Sequence, residues 1–171
     1  YRHLMRIGVE PDLVIGDFDS LGAVPERPNV IVCPVKKDDT DTLIAVRRAL
    51  DMGFSKIMIF GGTGGRLDHT LANIQTLGFA AKRGAEAFLF GEGFVLTVLI
   101  GGTLRFSGYS GGFSIFSLGD RARGVWERGA KYPLADAEIT CDFPLGVSNE
   151  FGAPGTEISV GKGALVVYWQ D

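Results

Sequence analysis

The feature that most constrains this chain is a change of texture near its middle. Up to about residue 92, short apolar runs alternate with longer segments of helical period. The apolar runs are Leu13-Val14-Ile15, residues 30–35, residues 57–60 and residues 87–90. Continuous runs of this kind suit parallel strands buried on both faces. Between them, Leu43, Val46 and Leu50 recur at helical spacing within residues 40–52. Leu71, Ile74 and Leu77-Gly78 do the same within residues 67–82. Strand and helix alternating this way predict an α/β domain on a parallel, Rossmann-like sheet. From about Gly93 the helical period disappears. Glycines at 93, 101, 102, 108, 111, 112, 119, 124 and 129 punctuate short segments such as Phe113-Ser114-Ile115-Phe116 and residues 165–169. That pattern predicts an all-β sandwich or barrel of many short strands. The expected division is residues 1–93 and 94–171.

Three polar clusters each follow one of the apolar runs. Gly16-Asp17-Phe18-Asp19-Ser20 follows the first. In extended backbone, Asp17 and Asp19 point to the same side, and two converging carboxylates call for a cation. Hard oxygen donors favour magnesium, usually shared with substrate phosphates. The plain alternative is a polar turn after a strand. Lys36-Lys37-Asp38-Asp39-Thr40-Asp41 follows the second run and precedes a helix. Asp39 or Thr40 can cap that helix, and acids suit its positive end. A surplus acid and two lysines also fit a metal–phosphate site. Gly61-Gly62-Thr63-Gly64-Gly65-Arg66-Leu67-Asp68-His69 follows the third run. Its glycines allow close approach of backbone to a ligand, the helix start suits an anion, and Arg66 offers a planar fork to phosphate oxygens. A flexible glycine turn is the alternative. It is neither a P-loop, lacking the Lys-Ser/Thr pair, nor a dinucleotide fingerprint, since Leu67 fills the third-glycine slot. In a parallel sheet the three positions share one rim, where ligands bind. Together they describe a site for a metal-bound nucleoside polyphosphate.

At these residues the sequence resembles the thiamine pyrophosphokinase family. The ordered trio Gly-Asp-Phe-Asp-Ser, Lys-Asp-x-Thr-Asp and Gly-Gly-x-Gly-Gly-Arg-x-Asp-His reads here as residues 16–20, 37–41 and 61–69. Gly146-Val147-Ser148-Asn149-Glu150 resembles the family's Ser-Asn segment, and Tyr132 lies where relatives place an aromatic residue. The resemblance implies transfer of pyrophosphate from ATP to the thiamine hydroxyl, with attack on the β-phosphorus and loss of AMP. It implies Asp17, Asp19, Asp38, Asp41 and Asp68 as the catalytic acids, with Asp17, Asp19 and Asp41 on magnesium. Lys37, Thr40, Gly62, Gly65 and Arg66 are expected around ATP, and Tyr132, Ser148 and Asn149 around thiamine. His69 is left out of the chemistry. A homodimer with a shared site is also implied. Read without the family, Tyr132 is an ordinary turn aromatic and Ser148-Asn149 an ordinary turn. Relatives carry a strand and an acidic Ala-Asp-Gly-Gly segment ahead of the region matched by Tyr1, so a preceding strand and one further acid are expected but absent from this sequence. Rival readings are a pyrophosphokinase acting on another hydroxymethyl heterocycle, such as a pterin, and a non-catalytic binding regulator.

The bulk properties set limits on partners. The formal net charge is −3, which offers no basic field for nucleic acid or an acidic membrane. No stretch of about 18 apolar residues indicates a span. Two distant cysteines, Cys33 and Cys141, make neither a disulfide framework nor a zinc site, so a reducing, cytoplasmic setting is the expectation.

Overall fold

A computed structural model describes residues 1–19, 21–34 and 38–171. The first half contains α1 (Arg2–Arg6), β1 (Val14–Gly16), β2 (Val30–Val32), α2 (Asp41–Asp51), β3 (Lys56–Phe60), α3 (Leu67–Ala81) and β4 (Glu86–Gly91). The second contains β5 (Phe94–Ser107), β6 (Gly112–Ser117), β7 (Arg121–Arg128), β8 (Ala137–Thr140), β9 (Asn149–Glu150) and β10 (Gly155–Gln170).

Local chemistry explains where the helices begin and end. Thr40 is the N-cap of α2, in extended backbone, and its Oγ1 accepts a hydrogen bond from the Leu43 N–H at 3.2 Å. Asp41 occupies the first turn, at the positive end of the helix. Gly53, with φ +89°, turns the chain away beyond Met52. In α3, Gly78 packs closely against Leu118: a Cβ there would lie 2.5 Å from Leu118 Cδ2, so that side chain would have to shift. Val46, Ile74 and Leu77 face the sheet as their spacing predicts, whereas Leu71 is exposed.

The sheet is mixed, and the helices are few. β1 and β2 form a parallel pair, Val14 opposite Val30. β3 and β4 form a second, Lys56 opposite Glu86. Among the described residues the two pairs do not join; a groove lined by Ile15, Ala45, Val46, Ile57 and Phe60 lies between them. The expectation of one parallel sheet buried on both faces is therefore corrected. Val32 in β2 and Met58 and Phe60 in β3 are exposed, so these strands are not covered on both faces, and among the described residues each has one bonded neighbour. β4 fits the expectation: Ala87 and Leu89 face the helices, Phe88 and Phe90 the opposite side.

No linker follows β4. The chain reverses through Glu92 and Gly93, and β5 pairs antiparallel with β4, Gly91 opposite Phe94. The order then runs β3-β4-β5-β10-β6-β9. The expected many short strands include two long ones, β5 with 14 residues and β10 with 16. Their glycines bend them rather than end them. Gly101, Gly102 and Gly163 have positive φ, and the β5–β10 register shifts between Val160 and Ala164. Before the shift β10 pairs with β7, and after it with β6. Val125, Ile139, Ile158, Ile115 and Val167 fill one core; Leu77, Ala80, Leu89, Leu96 and Val166 fill a second, beneath α2 and α3. Full burial of each aliphatic side chain contributes about 1.5–3 kcal/mol. Among the described residues no helix is long and apolar enough to cross a membrane. Cys33 is buried and Cys141 exposed, both as free thiols.

Candidate active site

The first two polar clusters meet in space. Asp17 and Asp41 line one cavity with Tyr1, His3, Gly16 and Phe18. Gly16 lies directly beneath the second acid: a Cβ built on it would be 3.6 Å from Asp41 Oδ2. The route to this pairing is not the expected one. β1 ends at Gly16, and Phe18 adopts φ +62°, which is uncommon for a bulky residue. Asp17 and Asp19 are thus not same-side neighbours on an extended strand. Instead Asp17 Oδ1 accepts from the Asp19 N–H at 3.2 Å, and Asp19 is exposed. Asp38 is also exposed. Asp39 is engaged by Arg47, whose Nη1 donates to Oδ2 at 2.7 Å. Lys37 lies outside the described residues.

The glycine loop divides by role. Gly62 is small because its own protein crowds it: a Cβ would meet Leu89 Cδ1 at 2.7 Å and Asn73 Nδ2 at 2.9 Å. Asn73, buried in α3, donates to the Gly62 carbonyl at 2.7 Å and fixes the loop. Gly65 faces open space. Arg66 and Asp68 form a two-pronged pair, Nη2 to Oδ2 at 2.6 Å and Nε to Oδ1 at 3.2 Å. The hydrogen bond to Arg66 holds the Asp68 carboxyl below its ordinary range. Both side chains are about two-thirds exposed (69% and 66%), so solvent screens the pair and a phosphate can compete for the arginine.

In the second half, Tyr132, Ser148 and Asn149 form one assembly. Tyr132 is exposed, with Lys131 Nζ 5.5 Å from its ring centre. Ser148 takes φ +63°, and its N–H donates to Ser114 Oγ at 3.0 Å. Asn149 is buried at 5% exposure. Its Oδ1 accepts from the N–H groups of Tyr132 and Glu150, and its Nδ2 donates to the Tyr132 carbonyl and to Glu127 Oε2. Both amide hydrogens are thus used within the chain. Glu127 belongs to none of the sequence motifs above, although its parity with Val125 on β7 points it inward. Burial raises its pKa from 4.5 to about 7, against the opposing hydrogen bond from Asn149. A carboxyl more easily protonated in the fold than in the unfolded chain favours folding at low pH. That stability is fully present below about pH 4.5 and is lost as pH rises toward 7. Glu127→Gln is expected to remove this loss. Relative to wild type it should gain about 2–3 kcal/mol on going from pH 4.5 to pH 8, read from denaturant unfolding.

Two family descriptions match this chain in succession. Residues 1–89 match "Thiamin pyrophosphokinase, catalytic domain", and residues 105–165 match "Thiamin pyrophosphokinase, vitamin B1 binding domain". The chain belongs to the thiamin pyrophosphokinase family. The thiamine pyrophosphokinase of Bacillus subtilis is 30% identical over 96% of this chain and 80% of that protein. The crystal structure of the Bacillus subtilis enzyme superimposes with a TM-score of 0.86, at 29% identity, covering 98% of this chain and 82% of that one. Thiamin pyrophosphokinase from Geobacillus thermodenitrificans gives 0.84 at 29% identity, covering 99% and 82%. Yeast thiamin pyrophosphokinase, at 16% identity and a TM-score of 0.74, covering 97% of this chain and 71% of that one, shares the fold.

The acids are candidate ligands for the magnesium that commonly accompanies a polyphosphate. Among the described residues no group of three or more His, Cys, Asp or Glu gathers around one point. Magnesium does not require such a group, since one or two carboxylates and substrate phosphates serve it. Asp17 and Asp41 are two hard oxygen donors on one cavity, which fits that requirement.

Proposed function

We propose that this chain transfers the terminal pyrophosphate of ATP to the hydroxyl of thiamine, releasing AMP. The observation that carries the reading is the meeting of Asp17 and Asp41 in one cavity, within a chain that matches both the catalytic and the vitamin-binding parts of one family. Residues 1–93 act as the α/β, ATP-binding part and residues 94–171 as the β-sandwich that takes thiamine. Asp17 and Asp41 hold magnesium, with Asp19 and Asp38 as outlying acids. Bound there, the metal offsets polyphosphate charge and the charge developing on the leaving group. Arg66 exchanges Asp68 for phosphate oxygens, helped by Lys37 and by the open approach at Gly65. Gly62 keeps the loop in place, and Thr40 fixes the start of α2. The thiamine hydroxyl attacks the β-phosphorus, its proton passing to a carboxylate of the acidic set. Positioning and charge stabilisation supply most of the rate, as in other phosphoryl transfers.

Thiamine lies against Tyr132 and Ser148, with Asn149 holding the backbone of the first and Ser114 that of the second. Among the described residues, none beyond Asp41 lines the cavity containing Asp17 and Asp41, and none before Gly111 lines the one containing Ser148 and Asn149. This separation supports a pairing of two copies in which the acids of one face the thiamine surface of its partner. Mixed Asp17→Asn and Tyr132→Ala proteins are expected to recover up to about a quarter of wild-type activity after subunit exchange, the share a random dimer with one intact site allows. Absence of recovery despite demonstrated exchange refutes the shared site. The reaction itself is tested by incubating the protein with thiamine, ATP and magnesium. Thiamine pyrophosphate and AMP are expected. Formation of ADP, or turnover of a hydroxymethylpterin in place of thiamine, overturns the assignment.

A further inference from the structure

Glu127 is chemically out of place. Among the described residues it is the one acidic or basic side chain that is fully buried, at 1% exposure. It projects from β7 into the core beside Val125, opposite Ile158 of β10. Oε2 accepts from Asn149 Nδ2 at 2.8 Å, while Oε1 has no hydrogen-bond partner. An apolar side chain in such a place avoids the desolvation penalty of a carboxyl. Core stability therefore does not account for it, and its contacts do. The Glu127 N–H donates to the Leu134 carbonyl, and its carboxyl holds the amide that clasps Tyr132. One residue thus grips the segment carrying Tyr132 at two points.

We propose that Glu127 is a positioning residue for the thiamine surface formed by Tyr132 and Ser148, locking the Asn149 amide in the orientation that fixes the Tyr132 backbone. The proposal rests on the reading that thiamine lies against those two residues. Asn149 Nδ2 must face Glu127 Oε2 and the Tyr132 carbonyl for Oδ1 to face the N–H groups of Tyr132 and Glu150. A flipped amide sets oxygen against two acceptors and hydrogens against two donors. An ionised Glu127 opposes the flip most strongly, because charge-assisted hydrogen bonds are about twice as strong as neutral ones. The groups around it leave its titration local. Ile158 faces it from β10, Asn149 from β9, and the Leu134 carbonyl closes the loop side. Nearby charges are paired elsewhere, Lys131 with Glu150 at 2.7 Å and Arg128 with Glu157 at 3.2 Å. With its ionisation centred near pH 7, the lock tightens as pH rises from 6 to 8.

The test is steady-state kinetics on the whole chain at pH 6, 7 and 8, varying thiamine and ATP separately. Tyr132→Ala should raise the KM for thiamine at least about tenfold. Glu127→Leu should do the same while kcat and the KM for ATP stay within about twofold. Wild type should show a thiamine KM several-fold lower at pH 8 than at pH 6. Glu127→Gln, which still accepts from Asn149 but does not titrate, should show a flat profile. If Tyr132→Ala leaves the thiamine KM unchanged, the placement of thiamine is wrong and the proposal falls with it. If Tyr132→Ala is impaired but Glu127→Leu matches wild type, only the positioning role is wrong. A uniform loss in kcat and both KM values for Glu127→Leu, or identical pH profiles for wild type and Glu127→Gln, reduces Glu127 to a structural residue and overturns the proposal.

Discussion

Asp17→Asn is expected to lower kcat by at least about a hundredfold, the scale of losing one preorganised electrostatic group from an active site, with little change in melting temperature. Asparagine keeps the shape of aspartate and an Oδ1 able to accept from the residue 19 N–H, so the turn at Phe18 persists. What disappears is one of two carboxylate charges on the cavity shared with Asp41. Asp41→Asn should lose activity to a similar degree. It should also lose about 0.3–1 kcal/mol of stability, because Asp41 complements the first turn of α2. Asp19→Asn provides the contrast. Asp19 is exposed and does not line that cavity, so its loss should be markedly smaller. Activity assays across a magnesium titration, alongside circular dichroism melts, read all three. Near-normal turnover of Asp17→Asn at saturating magnesium removes Asp17 from the metal site.

Much of this was legible because burial leaves a periodic trace. Ala87, Phe88, Leu89 and Phe90 form a continuous apolar run, and β4 is covered on both faces. The spacing of Val46, Ile74 and Leu77 gave the helix faces, and Thr40 gave a cap. Residues 30–32 carry the same apolar signal, yet Val32 is exposed. Composition reports a strand's preference, not what covers its faces. The glycines of the second half misled for a related reason. A glycine with positive φ can end a strand or bend it, and Gly101, Gly102 and Gly163 bend long ones. At the site, the meeting of Asp17 and Asp41 was legible in outline: Asp17 directly follows β1, and Asp41 opens the helix that comes after β2, the parallel partner of β1. The turn at Phe18 was not, since nothing in the residue type announces a left-handed phenylalanine. Glu127 had a signal in its alternation with Val125. Its partner Asn149 lies 22 residues away, a distance no local pattern spans.

Gly129→Ala is expected to destabilise the chain by at least about 3 kcal/mol, enough to lower the melting temperature by roughly 6–12 °C in a domain of this size. Gly129 ends β7 and leads into the segment carrying Tyr132. Its φ is +71°, a conformation that carries a strain of about 1–3 kcal/mol for other residues. Space is the larger obstacle. A Cβ would lie 2.2 Å from the Gly155 carbonyl oxygen, and backbone cannot rotate aside as a side chain does. The neighbours are equally confined: a Cβ on Gly152 would lie 2.0 Å from the Gly129 oxygen. Thr156, almost fully buried, ties the junction together, its Oγ1 donating to the Gly129 carbonyl and accepting from the Gly152 N–H. Any shift that relieves the clash must part these backbones and move the Tyr132 segment with them. The variant should therefore also bind thiamine more weakly at temperatures where it remains folded. Gly119→Ala is the control, since nothing lies within 4 Å of its added methyl and its φ is not positive; it should melt within about 2 °C of wild type. Equal melting temperatures for the two variants would mean that residues 129, 152 and 155 are not in the close backbone contact described.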